Sequence, residues 1–178
     1  MVIWLTGLSG AGKTTIAEAM FGTLKPHIPE LVLVDGDVIR ELFGASLGYE
    51  EPARQEQIGR IQRLSGWLAR QGQTVVVAAL YAHPDLLAWN RDNLPGYFEV
   101  YVDAPMDLLR ERDSKGLYAG ADSGRTPNVV GVDIPWHAPQ QPDMVIDAAR
   151  VELPLDIAMR IILQIPDLAG ALDLEAAQ

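Results

Sequence analysis

The chain has 178 residues, with 14 Lys and Arg against 24 Asp and Glu, for a net charge of −10 at pH 7. That balance argues against a general nucleic-acid surface, which would be basic. The absence of cysteine excludes disulfides, thiolate metal sites and a cysteine nucleophile, and it fits a reducing compartment. A length of this order and an apolar content of 48% suit one domain, residues 1–178, with one core. Val2–Leu5 predicts a buried strand, so no room for a signal peptide is expected before it. The longest apolar run, Val75–Ala82, is far shorter than a membrane span, and the expected location is the cytoplasm.

Directly after the first strand comes Gly7-Leu8-Ser9-Gly10-Ala11-Gly12-Lys13-Thr14, which fits G-x-x-x-x-G-K-[ST]. In this pattern the glycines let backbone N–H groups converge on phosphate oxygens. The lysine reaches the outer phosphates and the threonine hydroxyl sits on Mg²⁺. Thr14–Met20 predicts the helix whose N-terminal dipole would face those phosphates. Gly7, Ser9, Gly10, Ala11, Gly12, Lys13, Thr14 and Thr15 are therefore expected to hold a nucleoside triphosphate.

Leu31–Val34 predicts a second strand that runs into Asp35-Gly36-Asp37. Two carboxylates there could steer Mg²⁺ or take a proton from an acceptor hydroxyl, and either could instead cap the short helix expected over Val38–Phe43. Arg40, three residues past Asp37, is a solvated charge or a ligand contact. After a loop over Gly44–Gly48, Pro52 opens a longer helix in which Ile58, Ile61, Leu64 and Leu68 share a face, and Gly72 closes it. Arg54 and Gln57 share another face, with Arg60 and Arg63 further along, a candidate anion platform on an acidic protein.

Thr74–Leu80 reads as a strand buried on both faces, Pro84–Asn93 as a helix, Phe98–Val102 as a strand and Pro105–Asp113 as a helix. Asp103 could contact nucleotide or cap that last helix. Arg110, Arg112 and Lys115 lead into Ser114–Pro142, a Gly-, Pro- and Asp-rich stretch long enough to be a lid. Met144–Ile146 predicts a last strand and Leu153–Ile165 a closing helix, with a helical or frayed tail after Pro166. His27, His83 and His137 have no ligand spacing, and Trp4, Trp67, Trp89 and Trp136 read as packing residues. Strands alternating with helices give an α/β fold with a mainly parallel sheet, and ligands then gather at the C-terminal edge of the strands.

The P-loop run through Thr15, Asp35-Gly36-Asp37 with Arg40, and Val102-Asp103-Ala104-Pro105 resemble the adenylylsulfate kinase family. So do Arg112-Asp113-Ser114-Lys115-Gly116-Leu117-Tyr118, Gly131-Val132-Asp133, Ala138-Pro139 and Pro142-Asp143, in the same order. The resemblance covers Val2 to about Asp147 and implies a P-loop NTPase fold with a five-stranded sheet and helices on both faces. It also implies ATP and Mg²⁺ as cofactors and the ribose 3′-hydroxyl of adenylyl sulfate as acceptor. Lys13, Asp37 and Arg40 are then the catalytic candidates, with Asp37 in the acid–base position. Arg112 joins the nucleotide side. Asp35, Asp37, Arg40, Tyr49, Arg54, Gln57, Tyr81 and Lys115 join the acceptor side, with Tyr49 stacking on the base, and Thr14 and Asp35 are the metal candidates.

This sequence departs from the family pattern on the acceptor side. Gln57 stands for Asn, Gly59 for Arg, and Leu80-Tyr81-Ala82-His83 for Phe-Ile-Ser-Pro. Ala119-Gly120 stands for two basic residues, and Val129 for a second stacking Phe. Weakened recognition of adenylyl sulfate is the expectation, with a related acceptor such as a CDP-linked metabolite as an alternative. A non-catalytic nucleotide-binding switch is the other, although no Asn-Lys-x-Asp guanine motif appears. The expected partner is a small anionic nucleotide, with neither nucleic acid nor membrane, and a homodimer is left open.

Overall fold

The apolar runs of the sequence become a parallel sheet in the computed structural model, which describes residues 1–44, 47–113 and 115–173. The strands are β1 (Val2–Thr6), β2 (Leu31–Asp35), β3 (Thr74–Ala78), β4 (Tyr97–Asp103) and β5 (Met144–Asp147), in the order β2-β3-β1-β4-β5. Every pairing among them is parallel. β1 lies in the middle, with Leu5 opposite Ala78 on one side and Val100 on the other. Val2, Ile3, Trp4 and Leu5, and likewise Val75, Val76 and Val77, are 0% exposed. Unbroken apolar strands of this kind are what a sheet covered on both faces requires, and each such Val or Leu contributes about 1.5–3 kcal/mol by its burial.

The covering helices are α1 (Lys13–Leu24), α2 (Gly36–Leu42), α3 (Glu51–Arg70), α4 (Pro84–Asn93), α5 (Met106–Arg112), α6 (Leu117–Asp122), α7 (Pro154–Gln164) and α8 (Pro166–Asp173). α1 packs with α7 and α8, whereas α3 packs with α2 and α4, so helices lie on both faces of the sheet. Thr6, Asp35, Ala78 and Asp103 all end strands on one edge, above which the P-loop and the start of α2 are placed.

The structure differs from the sequence reading at several places. The stretch expected to be irregular contains α6, a helix of six residues; Ser114, its expected start, lies outside the described residues. Residues 45 and 46 of the expected 44–48 loop also lie outside them. Asp103 does not cap α5, whose N-cap is Pro105; its carboxylate accepts from the Tyr101 hydroxyl at 2.7 Å instead. Trp67 and Trp89 are 58% and 40% exposed, so only Trp4 among these three is a core residue. His83 Nδ1 accepts from Asp85 N at the start of α4, and its ring meets the edge of His137 at 5.3 Å, a contact that no sequence spacing suggests.

Candidate active site

The loop between β1 and α1 is shaped by its glycines. Gly7 has φ +150°, and a Cβ there would come within 2.3 Å of the Val102 carbonyl oxygen. Only glycine lets the loop turn this close to β4. Gly12 has φ +102° and caps α1 directly before Lys13. The loop opens on a cavity of about 800 Å³ at the C-terminal edge of the sheet, lined by Ser9, Gly10, Gly12, Lys13, Thr14 and Thr15 from this side. Lys13 Nζ donates to the Leu8 carbonyl at 2.8 Å, within its own loop. Burial pulls its ammonium down to about 8, against the opposing pull of Asp37 and then Asp35.

The two carboxylates after β2 divide their work. Asp35 caps α2: its Oδ1 accepts from the backbone N–H of Asp37 at 2.8 Å and of Val38 at 3.3 Å. Its Oδ2 accepts from the Thr14 hydroxyl at 2.7 Å. One residue thus serves both the cap and the cation candidate. Thr14 and Asp35 present hard oxygen donors, the kind Mg²⁺ takes alongside substrate phosphates and water, so the pair fits that ion. Asp37 caps nothing. Its Oδ2 accepts from Lys115 Nζ at 2.6 Å, and this bond holds the Lys115 ammonium above its ordinary range. Both side chains are largely exposed, so the pair itself adds at most about 1 kcal/mol to stability. Its interest lies in position, because Asp37 shares the cavity with Lys13 and Thr14.

The acceptor-side candidates Arg40, Tyr49, Arg54, Gln57 and Tyr81 line the same cavity. Arg40 Nη1 donates to the carbonyls of Leu47 and Gly48 at 3.1 and 2.9 Å, and its guanidinium lies 4.6 Å from the centre of the Tyr49 ring. Arg54 spans two segments: Nε donates to the Tyr49 carbonyl and Nη2 to the Asn128 carbonyl, each at 2.7 Å. Gln57 Nε2 donates to the Gly36 carbonyl at 3.2 Å. The Tyr81 hydroxyl donates to Glu51 Oε1 at 2.8 Å, and burial with that carboxylate pushes the phenol up to about 12.

Gly7, Ala11 and Arg112 stand apart from the other candidates. None of them lines the cavity. Gly7 is pressed against β4, Ala11 is 3% exposed, and Arg112 Nη2 donates to the Ala148 carbonyl beyond β5. Arg60 pairs with Glu56 at 2.8 Å and Arg110 with Asp122 at 3.0 Å, so of the basic face on α3 only Arg54 reaches the cavity. Sequence reasoning missed Glu41 and the run Thr126-Pro127-Asn128, all of which line the cavity. The one signal for the run was Pro and Asn together in a stretch too long to be idle.

A triphosphate loop, a hydroxyl–carboxylate pair suited to Mg²⁺ and a second carboxylate in one cleft serve one class of chemistry, the transfer of a phosphoryl group by a P-loop kinase. The comparison with known proteins narrows the class. The family model described as adenylylsulphate kinase matches residues 1–147, and the chain belongs to that family.

It is 40% identical over 152 residues to an adenylyl-sulfate kinase of Deinococcus deserti, covering 85% of this chain and 84% of that protein. It is 38% identical over 146 residues to a cytidine diphosphoramidate kinase of Campylobacter jejuni, covering 82% and 85% of the two chains. The structure of a Mycobacterium tuberculosis APS kinase in complex with AMPPNP and APS superposes with a TM-score of 0.84 at 30% identity, over 93% of this chain and 96% of that one. The protein is thus a kinase that transfers phosphate to a hydroxyl acceptor.

Proposed function

We propose that the protein transfers the γ-phosphoryl group of ATP to a hydroxyl of an anionic nucleotide, adenylyl sulfate or a close relative of it. The carrying observation is the placement of Asp37. It sits two residues from Asp35, which accepts from the Thr14 hydroxyl, and in the same cavity as Lys13. Lys115 occupies Asp37 Oδ2, which leaves Oδ1 to take the proton of the acceptor hydroxyl. The hydroxyl oxygen bonds to the γ-phosphorus, the bond to the β–γ bridging oxygen breaks, and ADP leaves. Lys13 and the loop N–H groups meet the charge that develops on the transferred group. Thr14 and Asp35 would hold Mg²⁺, which when bound neutralises phosphate charge. Arg40, Arg54 and Lys115 supply positive charge for an anionic acceptor, with Tyr49 beside the base.

The relatives include kinases of two different acceptors, and the departures at Gln57, Tyr81 and Val129 fall on the acceptor side. A coupled ADP-release assay over adenylyl sulfate, cytidine diphosphoramidate and plain nucleoside diphosphates tests the reading. Acceptor-dependent ADP release with one of these supports it. ADP release that no acceptor stimulates would overturn it in favour of a nucleotide-binding switch.

A further inference from the structure

Asn128 is the one described residue outside glycine in the left-handed region, with φ +64°. Its backbone is held from three directions. Asp133 accepts from the N–H groups of Asn128 and Val129, and Arg54 donates to the Asn128 carbonyl. The same guanidinium holds the Tyr49 carbonyl, so one side chain ties together the segment carrying Tyr49 and the segment carrying Asn128. Both residues line the cavity. Val129, the next residue, is 1% exposed and belongs to the core, so it supplies no aromatic face beside Asn128. The Asn128 amide itself makes no hydrogen bond among the described residues. An amide carried at a cavity wall on a fixed backbone, with donor and acceptor both uncommitted, matches a nucleobase edge that offers an amino group beside a ring nitrogen.

We propose that Asn128 reads the hydrogen-bonding edge of the acceptor's base and takes an amino-bearing base, adenine or cytosine, through its side-chain amide. The amide oxygen accepts from the exocyclic amino group, and the amide NH₂ donates to the neighbouring ring nitrogen. Arg54 acts as the positioning residue that keeps this edge reader beside the Tyr49 ring. The inference rests on the acceptor being a nucleotide. Base selection here runs through edge hydrogen bonds, with the Tyr49 ring as the stacking face.

The competing explanation is that asparagine is present only because it tolerates a left-handed backbone. Asn128→Gly separates the two, since glycine adopts this φ more easily, keeps the bonds to Asp133 and Arg54, and removes only the amide. Adenylyl sulfate and cytidine diphosphoramidate are the probes, each paired with an analogue lacking the exocyclic amino group. Asn128→Gly should keep its Tm and its KM for ATP while its KM for the favoured probe rises about tenfold, the scale of one bidentate base contact. The native protein should disfavour the deaminated analogue by about tenfold, and the variant should no longer distinguish the pair. Unchanged acceptor KM in Asn128→Gly, or a native protein indifferent to the amino group, would overturn the proposal while leaving the kinase reading intact. Absence of any nucleotide phosphorylation by the native protein would overturn that reading, and this inference with it.

Discussion

The depressed ammonium of Lys13 makes triphosphate binding a proton-linked event. Its pKa in the fold is about 8, against 10.5 for an ordinary lysine. Between these values the ligand-free site is mostly neutral, and a bound triphosphate restores the charge. If the anion returns Lys13 to its ordinary pKa, affinity is flat below pH 7.5 and then falls tenfold per pH unit. At pH 9.5 the loss reaches about 30-fold, and at pH 9 binding takes up about 0.9 proton.

The same shift acts on stability. The unfolded chain binds the proton that the fold rejects, so stability should rise with pH between 8 and 10.5, and the full cost, about 3 kcal/mol, is felt below 8. Isothermal titration of ATP from pH 6.5 to 9.5, in buffers of different ionisation enthalpy, reads both slope and proton uptake. Lys13→Met should bind more weakly and show no slope above pH 8. A native profile that stays flat to pH 9.5, or a slope that survives in Lys13→Met, would refute the assignment of the titrating group.

Two further outcomes follow from the geometry. Gly7→Ala must displace the loop or β4, because its Cβ meets the Val102 carbonyl oxygen at 2.3 Å; a loss of about 3 kcal/mol, roughly 6–12 °C in Tm, is expected by calorimetry. The segment over residues 115–142 should be the first cut in limited proteolysis, and ATP with an acceptor should slow the cut, since Lys115 and Asn128 line the cavity that the ligands fill. Equal rates with and without ligands would remove the case for a lid.

The sheet was legible because each strand is a local apolar run, and the P-loop because its spacing is fixed by the phosphates it surrounds. α6 escaped notice because Leu117–Asp122 is barely more than one turn and contains Gly120. From spacing alone Asp35 and Asp37 could not be told apart; only the family resemblance separated them. Both follow β2, and only the chain's path shows that the first caps α2 while the second meets Lys115. The role of Arg54 was half visible. Its helical face pointed to an anion platform, but its hold on Asn128 joins residues 74 apart, and no local pattern encodes that. Tyr81 was placed correctly at the strand edge, whereas its bond to Glu51 depends on how α3 lies over β3.

The central position of β1 has a consequence for how the chain is made. β1 leaves the ribosome before either of the two neighbours it needs, and both arrive late: β3 begins at Thr74 and β4 at Tyr97. At 5–20 residues per second the first partner follows roughly 4–15 s after β1. Throughout that interval Val2-Ile3-Trp4-Leu5, wholly buried in the finished protein, has no strand to pair with. Parallel pairing across such separations is slow, so the nascent chain carries this apolar, aggregation-prone segment without its native neighbours. Chaperones that hold short apolar segments would meet it there, before the phosphate loop beside it can take shape.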